Sequence, residues 1–302
     1  MKVLIAGGAG FMGRHLINSL TADSHHVWVL SRSKKQSKNQ IEGTTLVQWD
    51  GKTSDGWGHL MNEMDAVINL AGLSLYNWPW TKNKKQLFYA SRIQPGHALA
   101  TAIENASHRP EVFLQISGIN HYGLQGQGVA DESTPPGDDF LAQLTVAWEN
   151  STRVVEALGV RHIVCRTSVV LAKDAILLWL MALPVHIFFG GKLGRGEQAL
   201  PWIHIQDQIG AIRYLLENKD ATGAYNLIAP HPTSNEEFMR TLAGVLGRPF
   251  WFHVPAFLLK LVLGEMGVLI TEGRFAEPRR LLDAGYTLHF PDLAEALRDL
   301  FK

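Results

Sequence analysis

Cysteine is nearly absent. Of 302 residues only Cys165 carries a thiol, which excludes an internal disulfide framework and a thiolate metal cluster and suits a reducing compartment. Neither charge is in surplus, with 28 Lys plus Arg against 28 Asp plus Glu, so nothing in the balance recommends a phosphate backbone or an anionic bilayer as partner. Long apolar runs are missing too. The two richest, 175–189 and 255–270, are interrupted by Pro184 and His186 and by Lys260 and Glu265, and both fall short of the roughly 20 residues a membrane span needs. Met1-Lys2 leads straight into Val3-Leu4-Ile5-Ala6, a strand rather than the apolar core of a secretory leader. With 46% hydrophobic and 19% charged residues, the expectation is a globular cytoplasmic chain with no nucleic-acid or membrane partner.

What is present is alternation. Short β-branched runs at Lys2–Ala6, His26–Ser31, Thr45–Trp49, Ala66–Leu70, Val112–Ser117 and His162–Arg166 are separated by helix-period segments such as Phe11–Leu20, Arg92–Asn105 and Phe140–Leu158. This rhythm predicts an α/β fold, a Rossmann doubly wound parallel sheet with helices on both faces. After residue 170 it breaks into a glycine-rich loop from Gly190 to Gly196 and helical segments at Asn235–Leu246 and Pro255–Leu269. The expected division is a nucleotide-binding domain over 1–170, rejoined at about 202–228, with 171–201 and 229–302 forming a smaller substrate lobe packed on it.

Between the first strand and first helix stands Gly7-Gly8-Ala9-Gly10-Phe11-Met12-Gly13. Glycines at Gly7, Gly10 and Gly13 permit a tight turn and the close approach of a pyrophosphate to free N–H groups at a helix N-terminus. The strand-loop-helix context supports the motif, with Phe11 and Met12 supplying backbone amides. The second strand ends in Ser31-Arg32-Ser33-Lys34-Lys35, where a fold that prefers NAD offers a carboxylate to the ribose. Ser31 and Arg32 suit a 2′-phosphate instead, which predicts NADP (NADPH) as the cofactor. Asp50, after the third strand, is a candidate contact for the adenine amine or a turn residue.

With the glycine loop in place, Asn69-Leu70-Ala71-Gly72 closing the fourth strand, Ser117 closing the fifth, and Tyr122-Gly123 beyond, the chain resembles an extended short-chain dehydrogenase/reductase. More narrowly it resembles the atypical branch called epimerase family proteins, related to NAD-dependent epimerases and dehydratases. Trp80-Thr81, Ser91-Arg92, Trp148-Glu149, Arg166-Thr167, Trp202-Ile203-His204-Ile205 and Asp207 carry that likeness along nearly the whole length. The resemblance implies Leu70, Ala71 and Gly72 beside the cofactor. It also shows departures, among them Leu73 for a glutamate, Pro79 for an arginine and Ser168 for a glycine.

Ordinary members of the superfamily use Tyr-x-x-x-Lys as acid and pKa-lowering partner. Here the six tyrosines are followed four residues later by Trp80, Ile93, Gly126, Asn218, Ala229 and Phe290, so the pair is missing. Leu144 and Trp148 are expected in its place. Tyr122 is then the leading substitute acid, with a buried structural phenol as the alternative; Ser117 is a substrate hydrogen-bonding group or a strand cap. Lys85 and Arg92 could meet an anionic substrate or face solvent. Asp207 is expected to cap a helix beginning at Gln208 and to help dock the second lobe. The aromatics Tyr76, Trp78 and Trp80 predict a lid or packing between the lobes, and Ile176 to Phe189 a core helix, with an apolar pocket wall or homodimer face as the alternatives. No convincing metal spacing occurs. The expected function is an NADP(H)-dependent oxidoreductase or epimerase acting on a small molecule with hydroxyl or carbonyl groups; the alternative is a non-catalytic NADP(H) sensor.

Overall fold

The computed structural model describes residues 1–32 and 43–302. Its strands are β1 (Lys2–Ala6), β2 (His26–Ser31), β3 (Thr44–Gln48), β4 (Ala66–Asn69), β5 (Val112–Gly118), β6 (Arg161–Thr167), β7 (Val169–Leu171), β8 (Gly190–Leu193), β9 (Trp202–His204), β10 (Gly223–Leu227) and β11 (Phe250–Val254). The helices are α1 (Phe11–Ala22), α2 (Lys82–Glu104), α3 (Phe140–Asn150), α4 (Val154–Ala157), α5 (Ile176–His186), α6 (Ile205–Glu217), α7 (Asn235–Val245), α8 (Ala256–Leu263), α9 (Val268–Thr271), α10 (Arg279–Asp283) and α11 (Leu293–Phe301).

Seven strands pair in the order β10-β6-β5-β4-β1-β2-β3, all parallel. This is a Rossmann-like α/β fold. Its strands read as continuous apolar runs because both faces are covered. In β1, Val3 and Ile5 join a core with Leu16 and Ile17 of α1 and Ile209 and Ile212 of α6. Leu4 and Ala6 point the other way, into a second core with Leu99 and Ile103 of α2 and Val155 of α4. Parallel strands all direct their C-terminal ends to one edge, and the reversal of strand order between β1 and β4 opens a crevice there.

Three helices differ from the periodicity. The α2 helix begins at Lys82, ten residues ahead of Arg92, because Thr81 caps it by accepting the Lys84 N–H. Its first turns are lysine-rich, which hides the apolar face that Phe88 provides. The stretch Phe140–Leu158 is two helices, α3 and α4. Hydroxyls of Ser151 and Thr152 donate back to the carbonyls of Trp148 and Glu149, and α2 crosses so closely that a methyl on Gly96 would lie 2.0 Å from Ser151 Oγ. Pro255–Leu269 breaks at Gly264, whose φ is 57°.

Beyond β6 the chain builds a smaller layer in which β8 and β11 pair in parallel under α7. Part of the expected glycine loop is thus strand, and a methyl at Gly191 would fall 1.7 Å from the Phe252 carbonyl oxygen. Helix α5 buries Leu178, Met181 and Val185 but leaves Ile176, Trp179, Leu180 and Leu183 exposed. No helix among the described residues is long and apolar enough to cross a membrane.

The last segment is fastened by a buried carboxylate. Asp207 accepts the backbone N–H groups of His289 at 2.6 Å and Phe290 at 2.9 Å. It does not cap its own helix, which starts at Ile205 with His204 Nδ1 accepting from the Gln206 N–H. Removing this acceptor leaves two amides unsatisfied and forfeits charge-assisted bonds, so Asp207→Ala is expected to cost about 3 kcal/mol. A lowered urea midpoint, with faster proteolysis between residues 284 and 302, is the measurement that checks it.

Candidate functional site

At the C-terminal edge, β1 passes into α1 through the glycine loop. Gly7 has φ 79°, and a methyl there would meet the Leu70 carbonyl carbon at 2.7 Å and the Ala71 nitrogen at 2.8 Å. One on Gly13 would lie 2.3 Å from the Gly8 carbonyl oxygen. The end of β4 is therefore pressed against the loop and held there by Asn69, which accepts the Ala71 N–H at 3.1 Å while its amide donates to Gln115 at 2.9 Å. Helix α1 has Gly10 at its N-cap with no side chain to occupy its first amides. The N–H groups of Phe11, Met12 and Gly13 thus face the crevice with the positive end of the helix dipole, an arrangement suited to a phosphate anion.

At the next strand end, Ser31 stands opposite Gln48 and Arg32 lies against Gly51. An open recess of about 480 Å³ is lined by Arg32, Gln48, Trp49 and Asp50. Asp50 is largely a turn residue: its Oδ1 accepts the N–H groups of Lys52 at 2.7 Å and Thr53 at 2.9 Å, bonds that hold its carboxyl below the usual range. Ser33, Lys34 and Lys35 lie outside the described residues.

Ser117 and Tyr122 do not open onto the crevice. Both are about 1% exposed. The Ser117 hydroxyl donates to Glu149 Oε1 at 2.7 Å; Tyr122 donates to Asn226 Oδ1 at 2.7 Å and accepts from Arg166 Nη1 at 3.0 Å. Burial raises the phenol above its ordinary value against the opposing pull of Arg166. With its proton committed to Asn226 and no exposed face, Tyr122 is a strut between β5, β6 and β10, which corrects the expectation of a cleft-facing acid. Ser117 likewise orients Glu149 and is not free to serve a substrate oxygen.

Glu149 and Arg166 form the centre of this cluster, meeting through two bonds of 2.9 Å, Nε to Oε1 and Nη2 to Oε2. His121 Nδ1 sits 3.4 Å from Oε2, close enough to act by charge but without a well-aligned bond. Burial opposes ionisation of Glu149, yet the adjoining His121 and Arg166 outweigh it and hold the carboxyl at about 2. Sequence named both residues only as landmarks. The signal was Arg166 itself, a charge within the apolar strand His162–Arg166. Asn226 had none, because its partner Tyr122 is 104 positions away.

The helix that should carry the tyrosine and lysine turns Leu141, Leu144, Thr145 and Trp148 inward. None is ionisable in the range of acid–base catalysis. Of the expected lid, Trp80 is core, packed edge-on against Phe88 and Phe140, whereas Tyr76 and Trp78 are exposed. Lys85 pairs with Glu265 and so joins α2 to the smaller layer.

A parallel sheet with an uncapped glycine loop at its crevice defines a dinucleotide-binding Rossmann protein. Residues 3–227 match the NAD dependent epimerase/dehydratase family and residues 254–300 match a domain of unknown function, DUF1731. The chain belongs to the NAD-dependent epimerase/dehydratase family. It is 35% identical to the epimerase family protein YfhF of Bacillus subtilis (strain 168), over 99% of this chain and 98% of that one. It is 34% identical to the epimerase family protein SDR39U1 of Bos taurus, covering 99% of both. Among solved structures, human epimerase family protein SDR39U1 (isoform 2) with NADPH superposes with a TM-score of 0.87 at 31% identity, covering 99% of each chain.

Protonating Glu149 would strand Arg166 as a buried cation. Because the folded carboxyl lies near 2 and the ordinary value is 4.5, its contribution is complete above about pH 4.5 and is lost as pH falls toward 2. The shift corresponds to about 3 kcal/mol. Glu149→Gln is expected to be less stable at neutral pH and to show a flatter decline in acid, read from urea midpoints between neutral pH and pH 3.

Proposed function

We propose that this chain binds NADPH and moves hydride between it and a small molecule bearing a hydroxyl or carbonyl group, as an oxidoreductase or epimerase that dispenses with a tyrosine acid. The observation that carries this reading is the cradle formed by Gly7, Gly13 and the uncapped α1 terminus, with Arg32 at the end of β2, where the sequence Ser31-Arg32-Ser33-Lys34-Lys35 has no carboxylate. A pyrophosphate fits where side chains are sterically barred. Gly7, Gly10, Phe11, Met12 and Gly13 would hold it through backbone N–H groups. Ser31 and Arg32 would receive the 2′-phosphate, and Asp50 Oδ2, which among the described residues takes the Thr53 hydroxyl at 3.3 Å, keeps room for an adenine amine. Leu70, Ala71 and Gly72 would line the far side. The bound nucleotide supplies or accepts the hydride. Since Leu144 and Trp148 carry no acid where the missing pair would stand, Glu149 on α3 is held ionised beside Arg166, and Tyr122 is sealed, this reading leaves proton exchange to water or to His121, whose ring nitrogen lies 3.4 Å from Glu149.

The sealed phenol also favours a second reading, a protein that binds NADP(H) and reports redox state without turnover. A panel of aldehydes, ketones and sugars followed by NADPH absorbance separates the two: tight binding with no consumption across the panel supports the sensor.

Arg32→Asp tests the cofactor assignment. Loss of a charge-assisted phosphate contact corresponds to roughly tenfold to a hundredfold in affinity. Fluorescence titration is expected to show weaker NADPH binding, with NADH little affected and the fold intact. Equal affinity of the unaltered protein for both cofactors would remove NADP preference from the reading.

A further inference from the structure

Two buried arginines border the crevice, and the fold treats them differently. Arg166 has Glu149. Arg92, only 6% exposed, has no carboxylate partner among the described residues: its Nη1 donates to the Phe88 carbonyl at 3.2 Å and reaches Ser91 Oγ at 3.5 Å, and its guanidinium stacks 4.8 Å from the centre of the Trp148 ring. Burial lowers it to about 10 with no acidic neighbour to restore it. Charged groups this deep are ordinarily paired, because stripping their water is costly.

The location gives the missing charge a source. A methyl on Gly72 would lie 3.5 Å from Arg92 Cζ, and Leu73 donates its N–H to Ser91 Oγ at 3.0 Å. The guanidinium therefore rests against the strand end whose preceding residues, Leu70 and Ala71, touch Gly7. Among the described residues its Nε and Nη2 have no partner, and neither is sealed from solvent, whereas the indole N–H of Trp148 is sealed and unpaired. Stacking on a ring leaves the in-plane fork of an arginine available for a planar, two-oxygen acceptor.

We propose that Arg92, backed by Trp148 and Gly72, is the seat of an oxyanion in the crevice, and that its occupant is the carboxylate of the substrate. The assignment of a carboxylate rests on the NADPH-dependent reading above; the seat itself does not. A phosphate of the cofactor presents the same chemistry, so the test separates the two sources.

The full-length chain is titrated with malonate at constant ionic strength against chloride, without nucleotide and again with saturating NADP⁺, following melting temperature and intrinsic fluorescence. Saturable malonate binding that persists with NADP⁺ is expected, weakened at least about tenfold in Arg92→Gln and partly retained in Arg92→Lys. NADPH affinity is expected to be unchanged in both. Arg92→Gln is expected to melt no lower than the parent, since it removes an uncompensated charge, whereas a purely structural arginine would lower the melting point. If the glutamine variant does not fold, the lysine variant's malonate affinity decides, with an unaltered value overturning the seat. Failure of malonate to bind the parent chain, or equal binding by Arg92→Gln, also overturns it. A tenfold loss of NADPH affinity, with malonate displaced by nucleotide, overturns the substrate assignment and gives the site to a cofactor phosphate. A parent chain that takes malonate but no NADPH retains the seat and refutes the cofactor reading.

Discussion

The Glu149–Arg166 pair fixes how the second half of the chain meets the first. Through it α3 is bound to β6; through Tyr122 the loop leaving β5 is bound to the same guanidinium; and through Asn226 the contact extends to β10, whose N–H donates to Glu132. Glu132 in turn accepts the backbone N–H of Arg280, and Asn226 donates to the carbonyl of Glu277. A buried pair of this kind gains little over a well-packed apolar substitute, but breaking one side of it is expensive. Its value lies in geometry. Five separate pieces of chain are set around a single planar fork, and hydroxyls that might have served chemistry are consumed in satisfying it.

A steric constraint governs the other half of the crevice. At Gly7 and Gly13 the nearest neighbours are backbone atoms, which cannot swing aside as a side chain can. Loop, helix start and the end of β4 are thereby locked to one another, and the free amides of α1 acquire a fixed aim. The charge they offer is matched at the end of β2 by Arg32. Thus one end of the crevice is shaped by what glycine lacks, and the other by a paired charge that leaves little unspent.

Sheet and glycine loop were legible in the sequence because they are local: β1 through β6 are apolar runs, and the loop is seven consecutive residues. The epimerase-family likeness was legible for the same reason, being carried by short motifs. What escaped was set by contacts distant along the chain. Tyr122 has the look of a loop tyrosine beside a strand end until Asn226 and Arg166 close around it. The α3–α4 break depends on how closely Gly96 of α2 approaches Ser151. Asp207 stands where a helix cap would be expected, but its ligands come from residues 289 and 290. Arg92 was visible as a charge on a helix; that it lacks a counter-charge could be known only once its surroundings were in view.

The position of β10 carries a consequence for synthesis. It pairs with β6 across the intervening 171–201 excursion, β9 and α6, so a chain emerging from the ribosome completes six strands of the sheet well before the seventh exists. Throughout that interval β6 is an open edge with unpaired N–H and C=O groups, and Arg166 and Tyr122 lack Asn226. An apolar parallel strand left bare is a template for pairing with another chain. The nascent protein is therefore most vulnerable to misassociation between the emergence of β6 and that of β10, a window set by the order of the strands.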